Sequence, residues 1–341
     1  MKDVEKMAKI KDFLNKYDTI LFDMDGVVTS ENAYWTCAAI TAYQMLMSDE
    51  YYGFEKIDYS YLHTNVAKIR QMVFCDDKLI SILKNKGINS NWDLAYVIIA
   101  GGIICDTHDF NYICEHASTY SDDIFELYDQ ISKKLSQKLG KDAQYCGRHG
   151  ELWRQVQELF QKNYVGVDGV GGIMQYEQPL FGVDCTRHIM SVLKQSGKTL
   201  GIGTGRPKFE IETPLKKWNM LDLFDKNRII TYDDVEEGER QIANSKFDTL
   251  LTKPHPFVFL KGAYGCDYPI EKLLCGDFDK EILKKTLVVG DAGADMFAAR
   301  NGKMDFLAVL TGVMGEGARA YFEEQKANYI LSSICDMIED E

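Results

Sequence analysis

The chain has 341 residues, of which 45% are hydrophobic and 27% are charged. This length predicts two domains rather than one, and the composition excludes a disordered or fibrous protein. Its 52 acidic and 39 basic residues give a net charge of −13, so we expect no binding to nucleic acid or to an anionic membrane. An anionic substrate would need locally placed donors and a metal ion.

The cysteines and apolar segments bear on the cellular compartment. The nine cysteines are scattered, and no two are separated by only two residues, which favours reduced thiols in a cytoplasmic protein. His108 and His116, with Cys105 and Cys114, fit no zinc-binding spacing. The N-terminus lacks the apolar run of a signal peptide. The longest apolar segment, 95–105, is too short to span a membrane and predicts a buried helix or two broken pieces.

The first half of the chain reads as mostly helical. An amphipathic helix is expected over 3–16, followed by a short buried strand at Thr19–Phe22. Few strands are expected between residues 32 and 178, where the helical stretches are 36–48, 65–73, 77–86, 92–100, 121–138 and 149–163. The glycines at 166, 169, 171 and 172 indicate a hinge or linker.

From residue 179 onward, strands alternate with helices. The expected strands are 199–204, 228–231, 287–290, 306–311 and 328–331. The expected helices are 184–196, 207–219, 256–263, 279–285, 293–302 and 315–325. This alternation predicts an α/β fold with a doubly wound parallel sheet. Because the strand at Thr19–Phe22 is far from the others in sequence, we expect a core domain of 1–31 and 179–341, with a mostly helical domain, 32–178, inserted into it.

Acidic side chains follow the first core strand. Asp23 and Asp25 are two residues apart and can share one face at the strand end, with Gly26 allowing a turn. Two neighbouring carboxylates repel each other unless a cation lies between them, which indicates a hard divalent ion. The alternative interpretation is a turn with solvated aspartates.

Three further motifs follow the apolar runs of the core. Thr204 and Gly205 precede Pro207, where the amides of a helix start could bind phosphate or the hydroxyl could simply cap the helix. Lys253 could neutralise phosphate charge, whereas the neighbouring His255 fits a structural turn or a substrate contact. Two more carboxylates, Asp291 and Asp295, follow the run 287–289, where N-capping is the alternative.

Taken in order, these motifs resemble the haloacid dehalogenase-like (HAD) superfamily, in its phosphatase branch. Asp23-Met24-Asp25-Gly26-Val27 is similar to the first motif, Thr204-Gly205 to the second, Lys253-Pro254 to the third, and Asp291 with Asp295 to the fourth. The resemblance covers about 1–31 and 179–341, and the insertion resembles the family's helical cap. It implies a Rossmann-like core and a phosphatase similar to phosphoglycolate phosphatases.

The resemblance also implies roles for these residues. Asp23 would attack phosphorus, and Asp25 would protonate the leaving oxygen and then activate water. Mg²⁺ would be held by the Asp23 carboxylate, the Asp25 backbone carbonyl and Asp291. Thr204, Gly205 and Lys253 would hold the phosphate, with Asp295 supporting Lys253 or a metal-bound water.

The expected partner is a small-molecule phosphate ester, with no nucleic acid and no membrane; the sequence carries no signal for an oligomeric state. Alternatives on the same core are a phosphomutase and a non-catalytic phosphate-binding or regulatory protein. Within the cap, Asn91 and Asp93 begin a helix and are candidates for substrate contact when the cap closes. The competing interpretation is that they only cap that helix.

Overall fold

The computed structural model describes residues 9–88, 90–167, 170–247 and 249–339, and it divides into two compact units. The sheet unit comprises Met1–Ser30 and Gln178–Glu341, and the helical unit comprises Glu31–Glu177. The division expected from the sequence, after residues 31 and 178, differs from these bounds by one residue at each junction.

The N-terminal segment differs from the expected helix over 3–16. Residues 1–8 lie outside the described residues, and the rest of the segment forms strand β1 (Lys9–Ile10) and a 3-10 helix (Asp12–Lys16). The helix prediction is wrong here because the apolar residues serve tertiary packing. Ile10 pairs with Ile338 in an antiparallel ladder, and Leu14 is fully buried. Strand β2 then forms at Thr19–Phe22, as predicted.

Nine helices are present in the described part of the helical unit. They are α1 (Asn32–Met47), α2 (Tyr59–Thr64), α3 (Val66–Phe74), α4 (Lys78–Asn85), α5 (Asn91–Cys105), α6 (Phe110–Ser118), α7 (Ile124–Leu139), α8 (Ala143–Cys146) and α9 (Glu151–Val165). The sequence did not predict α2, α6 and α8, which have at most nine residues each. The glycine-rich stretch forms a hairpin of β3 (Gly166–Val167) and β4 (Val170–Gly171), followed by a 3-10 helix (Ile173–Tyr176). Gly169 lies outside the described residues.

The apolar segment 95–105 belongs to a single buried helix, α5, which confirms one of the two expected forms. Its side chains from Leu94 to Ala100 are almost wholly inaccessible and pack in the core of the helical unit. In the described stretches we find no helix with the length and apolar character needed to cross a membrane.

The remaining elements complete the sheet unit. The helices are α10 (Val183–Gln195), α11 (Lys208–Lys217), α12 (Tyr232–Ile242), α13 (Phe257–Tyr264), α14 (Ile270–Cys275), α15 (Lys280–Lys284), α16 (Gly293–Asn301) and α17 (Arg319–Glu324). The strands are β5 (Thr199–Gly203), β6 (Ile229–Ile230), β7 (Thr286–Gly290), β8 (Asp305–Val309), β9 (Tyr329–Leu331) and β10 (Ile338–Glu339). Short 3-10 helices lie at Leu221–Leu223, Lys226–Arg228, Gly315–Ala318 and Ile334–Met337. The sequence missed α12 and α14, and the expected helix 315–325 is a 3-10 turn followed by α17.

The central sheet is parallel, with strand order β6-β5-β2-β7-β8-β9. Alternate residues of its strands enter two separate cores. Ile20 and Phe22 pack in one core with α10 and α11, whereas Leu21 packs in the other with α13 and α16. A sheet covered by helices on both faces is the doubly wound α/β fold that the sequence predicted.

Candidate active site

The carboxyl ends of the central strands bring the candidate residues to one edge of the sheet. Strand β2 lies between β5 and β7, and Phe22 pairs with Ile202 on one side and with Val289 on the other. The Asp23 amide continues this ladder by donating to the Val289 carbonyl at 2.9 Å. Asp23 and Asp291 therefore leave adjacent strands at the edge where open parallel sheets bind their ligands.

Three carboxylates converge at this edge. One carboxylate oxygen from each residue takes part: those of Asp23, Asp291 and Asp295 lie within 4.8 Å of one another. The side chains of Asp23 and Asp295 are only 13% and 2% exposed. Like charges held this closely in a poorly solvated place repel each other, so the arrangement requires positive charge nearby.

Lys253 supplies part of that charge. Its Nζ lies 2.7 Å from Asp23 Oδ1 and 2.7 Å from Asp295 Oδ1. Burial lowers the pKa of Lys253, but the two carboxylates outweigh it and raise that pKa above its ordinary value, so the ammonium stays charged. One ammonium does not balance three carboxylates. Burial, with the charge of Asp295, raises the pKa of Asp23 to about 7 despite Lys253.

Asp295 has two partners, which correspond to its two expected roles as a helix N-cap and as a support for Lys253. Its Oδ1 faces Lys253, and its Oδ2 accepts a hydrogen bond from the Ala292 amide at 3.3 Å, where α16 begins. It therefore both caps the helix and orients the lysine.

Two glycines leave space for the Asp291 carboxylate. Gly26 has φ +72°, and a Cβ added there would lie 2.3 Å from Asp291 Oδ2. A Cβ at Gly312 would lie 2.1 Å from the same oxygen. The Thr311 hydroxyl donates to the Gly26 carbonyl, which ties the loop after β8 to the loop after β2. Gly26 is thus required both by its backbone conformation and by the nearby carboxylate.

The structure reveals a residue that the sequence interpretation missed. Arg206 is 3% exposed, and its Nε and Nη2 donate to the two oxygens of Asp25, with 2.9 Å from Nε to Oδ2. Nη2 also donates to Thr29 Oγ1 at 3.3 Å. The signal in the sequence was its position alone, since an arginine directly after Thr204-Gly205 falls at a strand end.

The Thr204 hydroxyl does not cap α11, because its donor, the Arg206 amide, precedes that helix. Thr204 is 1% exposed, and its hydroxyl accepts from the Arg206 amide at 3.2 Å. Pro207 is the N-cap of α11 instead of its first residue, and the Lys208 amide already donates to Asp233 Oδ2 at 2.7 Å. Of the two interpretations of this helix start, capping therefore holds at Lys208.

Gly205 and His255 complete the set of sheet-unit candidates. Gly205 is exposed, and a Cβ there would meet nothing within 4 Å, so its backbone is accessible from solvent. His255 Nδ1 accepts a hydrogen bond from the Phe257 amide at 3.3 Å, at the start of α13. This contact agrees with the structural-turn interpretation of the histidine.

Asn91 and Asp93 both lie at the start of α5 in the helical unit. The Asp93 side chain is 2% exposed and accepts hydrogen bonds from the Trp153 Nε1 at 2.7 Å and from the Arg148 Nε at 3.0 Å. Ser90, not either candidate, caps the helix through its contact with the Asp93 amide. Asn91 Oδ1 is buried without a hydrogen-bond partner among the described residues.

We expect Asp93→Ala to lower the free energy of unfolding by about 2–3 kcal/mol, because it leaves the buried Trp153 Nε1 and the partly exposed Arg148 without their acceptor. The matched control is Asp123→Ala, which removes the exposed N-cap of α7 and should cost about 1 kcal/mol. Urea unfolding of both variants measures the difference. Equal losses would show that Asp93 has no structural role beyond that of an ordinary cap.

The carboxylate cluster is the one group of three or more His, Cys, Asp or Glu residues with metal-site geometry in the described stretches. His108 instead has its Nε2 3.2 Å from the Tyr52 carbonyl. All nine cysteines fall within the described residues, and none of them forms a disulfide.

Comparisons with known proteins bear on the family and the fold. Residues 250–337, which include Lys253, Asp291 and Asp295, match a family model described as HAD-hydrolase-like. A search of curated proteins finds no match. An X-ray structure of a Northeast Structural Genomics Consortium target is 26% identical, with a TM-score of 0.75, and the match covers 94% of this chain and 97% of that one.

Two more distant structures have names that state a class of protein. A HAD hydrolase of family IA, variant 3, from Entamoeba histolytica is 12% identical, with a TM-score of 0.43 and coverage of 93% of both chains. A beta-phosphoglucomutase from Clostridium difficile is 15% identical, with a TM-score of 0.41 and coverage of 94% of this chain and 93% of that one. Similarity at this level carries no argument about substrate.

Proposed function

We propose that this chain, a HAD-like hydrolase, is a Mg²⁺-dependent phosphatase that hydrolyses a small phosphorylated metabolite through an aspartyl-phosphate. The observation that carries the proposal is the convergence of Asp23, Asp291 and Asp295 around Lys253 at the carboxyl ends of β2 and β7. The protein as a whole is acidic, so an anionic substrate must be held by such local charges.

The proposed reaction has two steps. In the first, an Asp23 oxygen attacks phosphorus, and the bond between phosphorus and the ester oxygen breaks while Asp25 gives that oxygen a proton. In the second, Asp25 takes a proton from water, whose oxygen attacks phosphorus and releases inorganic phosphate from Asp23. The Asp25 side chain is 27% exposed, so its carboxyl group is accessible to a leaving group and to water.

The phosphate would be held by groups at the same edge of the sheet. Lys253 offers an ammonium whose raised pKa keeps it charged, and Thr204 with the Gly205 backbone lies at the neighbouring strand end. Phosphoryl transfer depends mainly on such positioning and on charge neutralisation.

The residues present fit a hard divalent cation. The donors are carboxylate oxygens of Asp23 and Asp291, to which the proposal adds the Asp25 backbone carbonyl, and oxygen ligands are what Mg²⁺ prefers. Three carboxylates converge there and Lys253 is the ammonium that contacts two of them, so Lys253 alone does not balance their charge. When bound, Mg²⁺ would supply charge neutralisation for the phosphate oxygens.

The direct test uses a nitrophenyl phosphate as a generic substrate. We expect release of inorganic phosphate with Mg²⁺, none after chelation, and weak activity with Ca²⁺, whose looser coordination misplaces the phosphate. In the absence of substrate, Mg²⁺ should raise the melting temperature of the protein but not that of an Asp291→Asn variant. Full activity after exhaustive chelation would refute the metal requirement.

Two alternatives predict different products. A phosphomutase would return the phosphoryl group from Asp23 to an acceptor and release little inorganic phosphate. A non-catalytic phosphate-binding protein would bind phosphate without turnover. A screen of phosphorylated metabolites, in which both inorganic phosphate and isomeric phosphate esters are measured, separates the three functions and identifies the substrate.

The helical unit and the cellular compartment complete the proposal. Asn91 and Asp93 are retained as candidates for substrate contact, and the buried Asn91 Oδ1 without a described partner makes Asn91 the better candidate. A cytoplasmic location is proposed from the nine cysteines, none of which is in a disulfide.

A further inference from the structure

The ion pair between Arg206 and Asp25 involves two hydrogen bonds between the same two side chains. Both Asp25 oxygens accept from the guanidinium, so the pair is bidentate. A bidentate arginine restricts the plane of a carboxylate as well as its position. Asp25 therefore has a defined orientation, although 27% of its side chain is exposed.

Arg206 is itself held by contacts of its amide, its carbonyl and its guanidinium. Its amide donates to Thr204 Oγ1 at 3.2 Å, in the loop after β5, and its carbonyl accepts from the Tyr232 amide at 2.9 Å, after β6. Its Nη2 donates to Thr29 Oγ1, and the Thr29 hydroxyl contacts the Met24 carbonyl at 2.9 Å, in the loop after β2. The guanidinium is thus fixed relative to the strand ends that carry the candidate site.

We propose that Arg206 is a positioning residue for Asp25. It orients the Asp25 carboxyl group so that the group can act first on the leaving oxygen and then on the attacking water. This inference rests on the proposed phosphatase function, because only a proton-transferring Asp25 needs such aim. The same carboxyl group must serve both steps, and a freely rotating side chain would spend less time in the orientation that each step needs. Arg206 is 3% exposed, and its Nε and Nη2 both donate to Asp25. An arginine that binds phosphate would instead direct these donors at the substrate.

The test compares two substrates whose leaving groups differ in their need for a proton. In Arg206→Lys, which keeps the charge but loses the two parallel donors, we expect kcat/KM for an alkyl phosphate, which reports only the step in which the leaving group departs, to fall on the order of 10²-fold. The loss for a nitrophenyl phosphate should be much smaller, since nitrophenolate leaves without a proton. Competitive inhibition by inorganic phosphate, which reports binding alone, should change little.

A double substitution isolates the coupling between the two residues. If Arg206 acts through Asp25, Arg206→Lys should cost little more activity in an Asp25→Asn background. The control is Arg187→Lys, an exposed arginine paired with Asp184 on α10, which should leave both substrates unaffected. If Arg206→Lys fails to fold, Thr29→Val, which removes a hydroxyl that Arg206 contacts, should show the same substrate dependence with a smaller loss.

Two results would overturn this inference and leave the proposed function intact. They are equal losses for both substrates with weaker phosphate binding, which would make Arg206 a phosphate ligand, and additive losses in the Asp25→Asn background. Absence of Mg²⁺-dependent hydrolysis in the unsubstituted protein would instead overturn the proposed function, and this inference with it.

Discussion

Asp23→Asn is expected to reduce turnover of any phosphate ester on the order of 10⁶-fold, or to the background of the assay. The amide keeps the shape of the side chain but is not a nucleophile, so no aspartyl-phosphate can form. Removal of a covalent nucleophile from an enzyme has an effect of this size. The measurement is steady-state phosphate release, together with trapping of the phosphorylated protein by acid quench, which should succeed only with Asp23 present.

The matched control for this variant is Asp18→Asn. Asp18 precedes the same strand, at the opposite end from Asp23, and is exposed. We expect this variant to retain full activity. A phosphorylated Asp23→Asn protein, or one that keeps most of its turnover, would show that the covalent mechanism is wrong.

Stability provides a second readout for Asp23→Asn. Because its pKa is raised from 3.8 to about 7 in the folded protein, Asp23 binds more protons when folded than when unfolded between these pH values. The carboxylate therefore opposes folding increasingly as pH rises through this window. In metal-free protein at pH 8, Asp23→Asn should melt at a temperature no lower than that of the unsubstituted protein. A clearly lower melting temperature would mean that the Lys253 contact outweighs the repulsion.

Periodicity predicted the central sheet because its strands are short apolar runs bounded by turn residues. Leu21 and Val288 belong to one core while their neighbours belong to the other, so buried parallel strands lack a polar face and read as continuous apolar stretches. The pattern failed at 3–16, where the described residues form β1 and a 3-10 helix. There the partner of Ile10 is Ile338, at the far end of the chain, and no local pattern encodes that pairing.

The sequence predicted those residues of the candidate site that directly follow a recognisable strand. Asp23 and Asp291 follow apolar runs, and the parallel arrangement brings adjacent strand ends together. Arg206 was missed because its importance depends on burial and on its partner Asp25, which is distant in sequence. Asp93 illustrates the opposite problem, since its position at a helix start did not indicate that Arg148 and Trp153 use it as an acceptor.

Asp25→Asn is the second large effect, with an expected loss on the order of 10²–10⁴-fold. The asparagine cannot give a proton to a leaving oxygen or take one from water. The loss should be greatest for an alkyl phosphate, whose alkoxide leaves poorly without a proton, and smaller for a nitrophenyl phosphate. The kcat/KM values of both substrates, measured at saturating Mg²⁺, test this role because they report only the step in which the leaving group departs.

Asp291→Asn separates proton transfer from metal binding. It removes a carboxylate of the cluster and leaves Asp25 untouched, so it should weaken hydrolysis of both phosphates by the same factor. A higher Mg²⁺ concentration should recover part of that loss, because it increases occupancy of the weakened metal site. It should recover none of the loss in Asp25→Asn, where the proton donor itself is missing. Equal losses of kcat/KM for the two substrates in Asp25→Asn would show that Asp25 does not protonate the leaving oxygen.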